Sequence, residues 1–361
     1  MGHKAEEFDH ILNFSATGIG SVPFENIEET CRLILKIFPK IPFWPQFVRR
    51  GPREDMNIQF CEALPFLEIH EEQRVISIPS LHLESRLVSF YEKFLAEDVG
   101  AFAISRDYAP GLYEIVSMLQ KIENRKPPYL KGQSVGPFTL SASIMDKGGK
   151  SLLHNAELLD AVAKALAIRG VWQVRKLASS GCRPIVFLDE PYLSGFGSAF
   201  VPVQRDQVIK LIGEIMRYIR ERTDALVGIH CCGNTDWPMI IETRPDIISL
   251  DAFSHMDYFL LYPDNILRFL EKGGVISWGI VPTALFTGKE TVDSLFARLK
   301  EGLSSLYRAG IDPEQLAAQS ILTPSCGTGT MEKPSAERAL RLVSALAGKC
   351  ANQAPGVLRE N

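Results

Sequence analysis

"PIVFLDE" (184–190), "RDQVIKLIGEIMRYIRERT" (205–223) and "ALVGIHC" (225–231) follow one another in the chain, and the fold turns on how they are read. The first and third are short runs rich in Val, Ile and Leu, bounded by Pro, Asp and Gly, which is the pattern of strands. The middle one carries Val208, Leu211, Ile212, Ile215 and Ile219 at helical spacing, so one face of a helix is apolar. Strand, helix, strand at this length points to parallel strands joined by a crossover helix.

The same alternation runs through the chain. Further β-like runs are "TGIGSV" (17–22), "RVISIPS" (74–80), "AFAIS" (101–105), "YLKGQSVG" (129–136), "DIISLDAF" (246–253), "GVISWGIV" (274–281) and "SILTPSC" (320–326). Helical patterns lie at "NIEETCRLILKIF" (26–38), "AELLDAVAKALAIRGVWQVRKLASSG" (156–181) and "VDSLFARLKEGLSSLYRAG" (292–310). About eight such units that close on themselves make a TIM (β/α)8 barrel. A doubly wound open sheet is the competing arrangement, but no Gly-rich dinucleotide fingerprint follows a strand. The expectation is a single barrel domain over 1–361, with a loose tail at 350–361.

Composition bounds the partners. The 361 residues are 46% hydrophobic with a formal net charge of −4. A basic surface for nucleic acid or an anionic membrane is not expected; "VRRGPR" (48–53) is the one basic cluster. The first residues lack the apolar core of a signal peptide, and no apolar run approaches a membrane span. Seven cysteines, an odd number, fit reduced thiols in a cytoplasm better than a disulfide framework.

In a TIM barrel, chemistry sits where the strands end. "LVGIHCCGNTD" (226–236) ends a strand with one histidine and two cysteines. Side chains at i and i+2 share a strand face, so His230 and Cys232 point together and Cys231 points away. Cys326 ends another strand and brings a second sulfur; Asp251 ends a strand between them and brings an oxygen. Two thiolates, an imidazole and a carboxylate suit Zn²⁺. Cys31, Cys61, Cys182 and Cys350 have no such partners and read as packing. Trp278 reads as wall packing and His255 as a surface residue, and no role is assigned to His82.

These strand ends resemble the catalytic C-terminal barrel of cobalamin-independent methionine synthase, a superfamily shared with coenzyme M methyltransferases and uroporphyrinogen decarboxylases. The likeness lies in Ile19-Gly20-Ser21-Val22-Pro23, Gly136 to Thr139, Asp189-Glu190-Pro191, His230 with Cys232, and Cys326-Gly327. It implies a zinc-dependent S-methyltransferase that activates a small thiol, homocysteine or another, on zinc held by His230, Cys232, Cys326 and Asp251. It further implies that Ile19, Gly20 and Ser21 bind the acceptor, with Asp189 on its polar end. The methyl donor implied is a methylcorrinoid, carried on a partner protein, or a methyl-folate. Ile58 stands where the family has a glutamate that clamps the amino group of homocysteine. Two other readings are a metal-free decarboxylase of the uroporphyrinogen type and a non-catalytic zinc-binding accessory of a corrinoid protein.

Overall fold

The computed structural model describes residues 12–199 and 201–353. Its strands are β1 (Ser15–Ala16), β2 (Ser21–Val22), β3 (Gln46–Phe47), β4 (Glu68–His70), β5 (Val75–Ser77), β6 (Tyr129–Val135), β7 (Arg183–Asp189), β8 (Leu226–Cys231), β9 (Ile247–Leu250), β10 (Val275–Val281) and β11 (Ser320–Pro324). Seven of them form a parallel sheet in the order β1-β11-β10-β9-β8-β7-β6.

The sheet closes through a segment just before β3. Lys131 of β6 pairs with Phe43 in parallel, the Trp44 N–H donates to the Lys131 carbonyl (3.1 Å), and the Lys131 N–H donates to the Pro42 carbonyl (2.8 Å). That segment continues into β3, which pairs in parallel with β2. The stretch 15–22 is therefore bonded to β11 on one side and to β3 on the other. Eight parallel segments meet edge to edge, and the architecture is the expected α/β TIM-type barrel.

Alternation within each strand divides the core in two. Leu226 of β8 packs inside the barrel with Tyr129, Ile185, Phe187, Ile247 and Val275. Val227, Ile229 and Cys231 point outward, into the layer between strands and helices. Gly228 makes room on the inner side: a Cβ there would lie 2.1 Å from the Phe187 ring. Outside the barrel, the helix Ala156–Ala178 starts at Asn155, whose side chain accepts from the Leu158 N–H, and the chain turns away at Gly181, with φ +86°. The helix Val292–Arg308 begins with a reciprocal Thr291–Ser294 capping box.

Three local expectations change. Residues 74–80 supply β5 of an antiparallel hairpin with β4, outside the barrel. Residues 101–105 are not a strand; a 3-10 turn spans Val99–Phe102, closed by the Asp98 carboxylate accepting from the Ala101 N–H. The second barrel strand, around 42–47, does not stand out in the sequence, because Pro42 and Pro45 break its alternation. Of the expected loose tail, 350–353 complete the helix Lys333–Gln353, with Cys350 buried; 354–361 lie outside the described residues. No helix among the described residues is long and apolar enough to cross a membrane.

Candidate metal centre at the barrel mouth

Register places the first side chains. Asp189 pairs with His230 across β7 and β8, and His230 pairs with Ser249 across β8 and β9. In-register residues of a parallel sheet point to the same face, so the three stand side by side on the inner wall. Cys232 follows His230 by two residues, and Cys326 follows the end of β11 by two. The ligand atoms of His230, Cys232 and Cys326 all lie within 4.8 Å of one another. Tetrahedral zinc, with bonds of about 2.3 Å to sulfur and about 2.0 Å to nitrogen, holds such atoms roughly 3.5–3.8 Å apart, so a small inward movement completes the array.

The imidazole is prepared on one side only. His230 is buried, and its Nδ1 lies 3.0 Å from Ser249 Oγ. Its Nε2 is buried with no hydrogen-bond partner. The imidazole lies beside the Cys326 thiol and lowers it through a weak contact, one without the geometry of a hydrogen bond at Nε2. The two sulfurs are coupled. Cys232 is shifted below the usual thiol value, first because Cys326 donates a hydrogen bond to it, against the effect of burial. That same hydrogen bond, and then burial, push Cys326 upward. Cys231 faces the outer layer, where burial pushes its thiol up to about 12. An orphaned imidazole nitrogen beside two converging sulfurs is a donor set that fits Zn²⁺.

Asp251 does not join this cluster. Its Oδ1 accepts from the Ser254 N–H at 2.9 Å and caps the helix Ala252–Phe259. The expected fourth protein ligand is therefore corrected to a helix cap: the strand ends one residue earlier, at Leu250, and the aspartate falls on the turn into the helix.

The acceptor-binding residues of the sequence reading do come together around the mouth. A Cβ on Gly327 would lie 2.1 Å from Ser21 Oγ, and the Thr328 N–H donates to the Ser21 carbonyl at 2.9 Å. Gly20 packs against the side chain of Gln133. The Ile19 carbonyl accepts from Lys131 Nζ. Asp189 Oδ1 is buried with no partner; burial pushes its carboxyl upward, with His230 and Lys131 opposing.

Glu190 has a structural task. Its carboxylate accepts from the Phe138 N–H, the Thr139 N–H and the Thr139 hydroxyl, at 2.9, 2.9 and 2.6 Å. It thus ties the end of β7 to the first turn of the helix Pro137–Ser143. Burial raises it to about 7. Gly136 permits the approach, since a Cβ there would lie 2.3 Å from the carboxyl carbon.

Other expectations settle plainly. Ile58 is buried in the 3-10 turn Ile58–Cys61. Trp278 packs between sheet and helices, its Nε1 donating to Ser320 Oγ at 2.9 Å. The basic cluster is neutralised where it stands: Arg50 pairs with Glu54, and Arg53 with Glu71 and Asp107.

Four inner-wall residues were not singled out from the sequence: Ser249, Lys131, Gln133 and Thr17. Lys131 is buried, its ammonium 4.6 Å from the Phe187 ring centre; burial pulls it down to about 8, against the pull of Asp189. Gln133 Oε1 and Thr17 Oγ1 are buried without partners. The signal was present in "YLKGQSV", where Lys131 and Gln133 alternate on what proves to be the inner face.

No family model matches the chain, and no curated protein does. Among solved structures the chain is similar to a GH113 β-mannanase from Alicyclobacillus acidocaldarius, at 12% identity over 66% of this chain and 78% of that one, with a TM-score of 0.34. It is also similar to a fungal β-1,4-galactanase, at 12% identity over 66% of this chain and 84% of that one, with a TM-score of 0.39. Likeness at this level is one of fold and carries no reaction with it.

The expected kinship is corrected: no family model and no curated protein supports it, and the two solved structures named are a β-mannanase and a β-1,4-galactanase, not a cobalamin-independent methionine synthase. The S-methyltransferase activity is withdrawn with it, as are the methylcorrinoid and methyl-folate donors and the corrinoid carrier protein. The decarboxylase and accessory-protein readings gain no support either. The physical reason for the error is that the shared motifs are two to five residues long. A (β/α)8 barrel brings whatever ends its strands to one mouth, so their convergence follows from the fold.

Proposed function

We propose that the barrel mouth holds a Zn²⁺ ion on His230 Nε2, Cys232 Sγ and Cys326 Sγ and presents it to a small thiol. The observation that carries this is the state of His230: Nδ1 engaged by Ser249, Nε2 buried and unpartnered, two sulfurs within 4.8 Å. Three protein ligands leave one position for a substrate, the pattern of a catalytic rather than a structural zinc site. A bound Zn²⁺ would deprotonate a coordinated thiol at neutral pH, where the free thiol is mostly protonated.

The chain's own groups divide the remaining work. Ser249 fixes the ring orientation and leaves Nε2 as the donor. Two cysteine thiolates give the site its preference for a soft metal. Ser21, with the Ile19 and Gly20 backbone, lines the approach beside Cys326, and Asp189 Oδ1 accepts from the polar end of the ligand. The cytoplasm, where thiols stay reduced, suits a chain whose seven cysteines are all free.

The test is metal content, by mass spectrometry, of protein purified reduced and without chelator, beside Cys326→Ser. One zinc per chain, lost in the variant, is expected. X-ray absorption at the zinc edge with added 2-mercaptoethanol or cysteine should then show one more sulfur neighbour. Absence of zinc from the wild-type chain after reconstitution ends the reading.

A further inference from the structure

Lys131 is a buried charge that the zinc reading does not use. It sits on the inner wall, 1% exposed. An ammonium has three donors. The hydrogen bond found for this one goes to the Ile19 carbonyl, and the Phe187 ring lies 4.6 Å away. Burying a lysine so sparingly satisfied is costly, and an apolar residue of similar volume would pack the site at less cost.

What the contact holds is a short connected path. Lys131 fixes the carbonyl of Ile19. Two residues on, Ser21 accepts from the Thr328 N–H at 2.9 Å and from Thr328 Oγ1 at 3.1 Å. Gly327 lies against the Ser21 side chain so closely that a Cβ would come within 2.1 Å of its hydroxyl. The residue before Gly327 is Cys326. The barrel closes at this seam, where 15–22 joins β11 to β3, and only two residues of β1 and two of β2 pair there. The ladder alone holds the seam weakly.

We infer that Lys131 is a positioning residue for the metal centre: by pinning Ile19 it sets the Ile19–Ser21 turn, and through Thr328 and Gly327 it sets the depth at which Cys326 meets His230 and Cys232. The inference rests on the zinc reading and deepens it. Outer groups that orient metal ligands typically contribute 10–100-fold in metal affinity, and Lys131 acts at one further remove, through backbone rather than through a ligand's own hydrogen bond.

The experiment is Co²⁺ titration of the full chain, reduced and metal-free, followed by the sulfur-to-cobalt charge-transfer absorption, in wild type, Lys131→Met and Lys131→Gln. Lys131→Met should weaken Co²⁺ binding about 10-fold or more and lower the charge-transfer intensity per bound ion, because one thiolate is misplaced. Lys131→Gln retains a donor for the Ile19 carbonyl and should recover part of both. A merely structural lysine would change the melting temperature and leave the affinity and spectrum of the folded protein at wild-type values; that result overturns the inference. Should Lys131→Met fail to fold, Lys131→Leu, which likewise removes the donor to the Ile19 carbonyl, decides on the same two readouts. A wild-type chain that takes up no cobalt brings down the metal reading and this role with it, whereas normal uptake by both variants brings down this role alone.

Discussion

His230 and Ser249 face each other in register on β8 and β9, and Ser249 Oγ stands 3.0 Å from His230 Nδ1. The contact decides which nitrogen is left for a metal. Ser249 is wholly buried, so no solvent competes for Nδ1, and the ring cannot turn without losing its one partner.

Ser249→Ala should therefore lower zinc affinity about 10-fold or more while costing about 1 kcal/mol of stability. Competition with a chromophoric chelator gives the first quantity and urea unfolding of the metal-free protein the second. Unchanged zinc affinity would mean that packing alone orients the imidazole.

Asp251 separates two readings of one carboxylate. As a helix cap its loss weakens the helix Ala252–Phe259 and leaves the metal alone; as a ligand its loss weakens the metal. The 2.9 Å bond from the Ser254 N–H favours the cap. Asp251→Ala should cost about 1 kcal/mol in unfolding free energy and retain one zinc per chain with wild-type affinity. A drop in affinity comparable to that of Cys326→Ser would restore Asp251 as a ligand.

Glu190 makes stability depend on pH in an unusual direction. Its ordinary value is 4.5, and burial raises it to about 7 in the fold. Below the lower value both states hold the proton, and the contribution is present in full. Between the two, the unfolded chain has released a proton that the folded chain still binds, so stability falls as pH rises; above about 7 the loss is complete. Glu190→Gln does not titrate. From pH 4.5 to 7 the variant should gain on wild type by up to about 3 kcal/mol in unfolding free energy. Parallel pH profiles for the two proteins would show that Glu190 is ionised in the fold throughout.

The barrel could be read from the sequence because its strands are buried on both faces and its helices are amphipathic, so both periods survive in "PIVFLDE", the helix after it and "ALVGIHC". The second strand could not, since Pro42 and Pro45 leave it held by a few bonds to Lys131 and Gly20. In the site, His230 and Cys232 were legible from the i, i+2 rule, and Cys326 from its place after a strand. Asp251 was misplaced by one step: the same position past a strand serves a ligand or the next helix's cap, and only geometry separates them. Ser249 is hidden because a polar residue inside an apolar run has no local sign of which wall it faces, and the alternation of Lys131 and Gln133 shows that they share a wall but not which one. Kinship was the least legible, because it was inferred from motifs whose convergence the fold itself produces.

Gly228 tests the packing on which the site stands. It is an inward position of β8, two residues before His230, and the Phe187 ring fills the space where its side chain would be, 2.1 Å from a built Cβ. An aromatic ring in a closed barrel has little room to retreat, with Ile185, Leu226 and Ile247 around it. Gly228→Ala should therefore cost about 1–3 kcal/mol, the usual penalty of overpacking. Phe187→Leu alone should also destabilise, by leaving a cavity. Combined, the two changes should cost less than their sum, because the smaller side chain accepts the new methyl group. Urea unfolding of the two single variants and the double variant measures this coupling directly. Additive losses would mean that the strand moves instead of the ring; zinc affinity should then fall in Gly228→Ala, since β8 carries His230 with it.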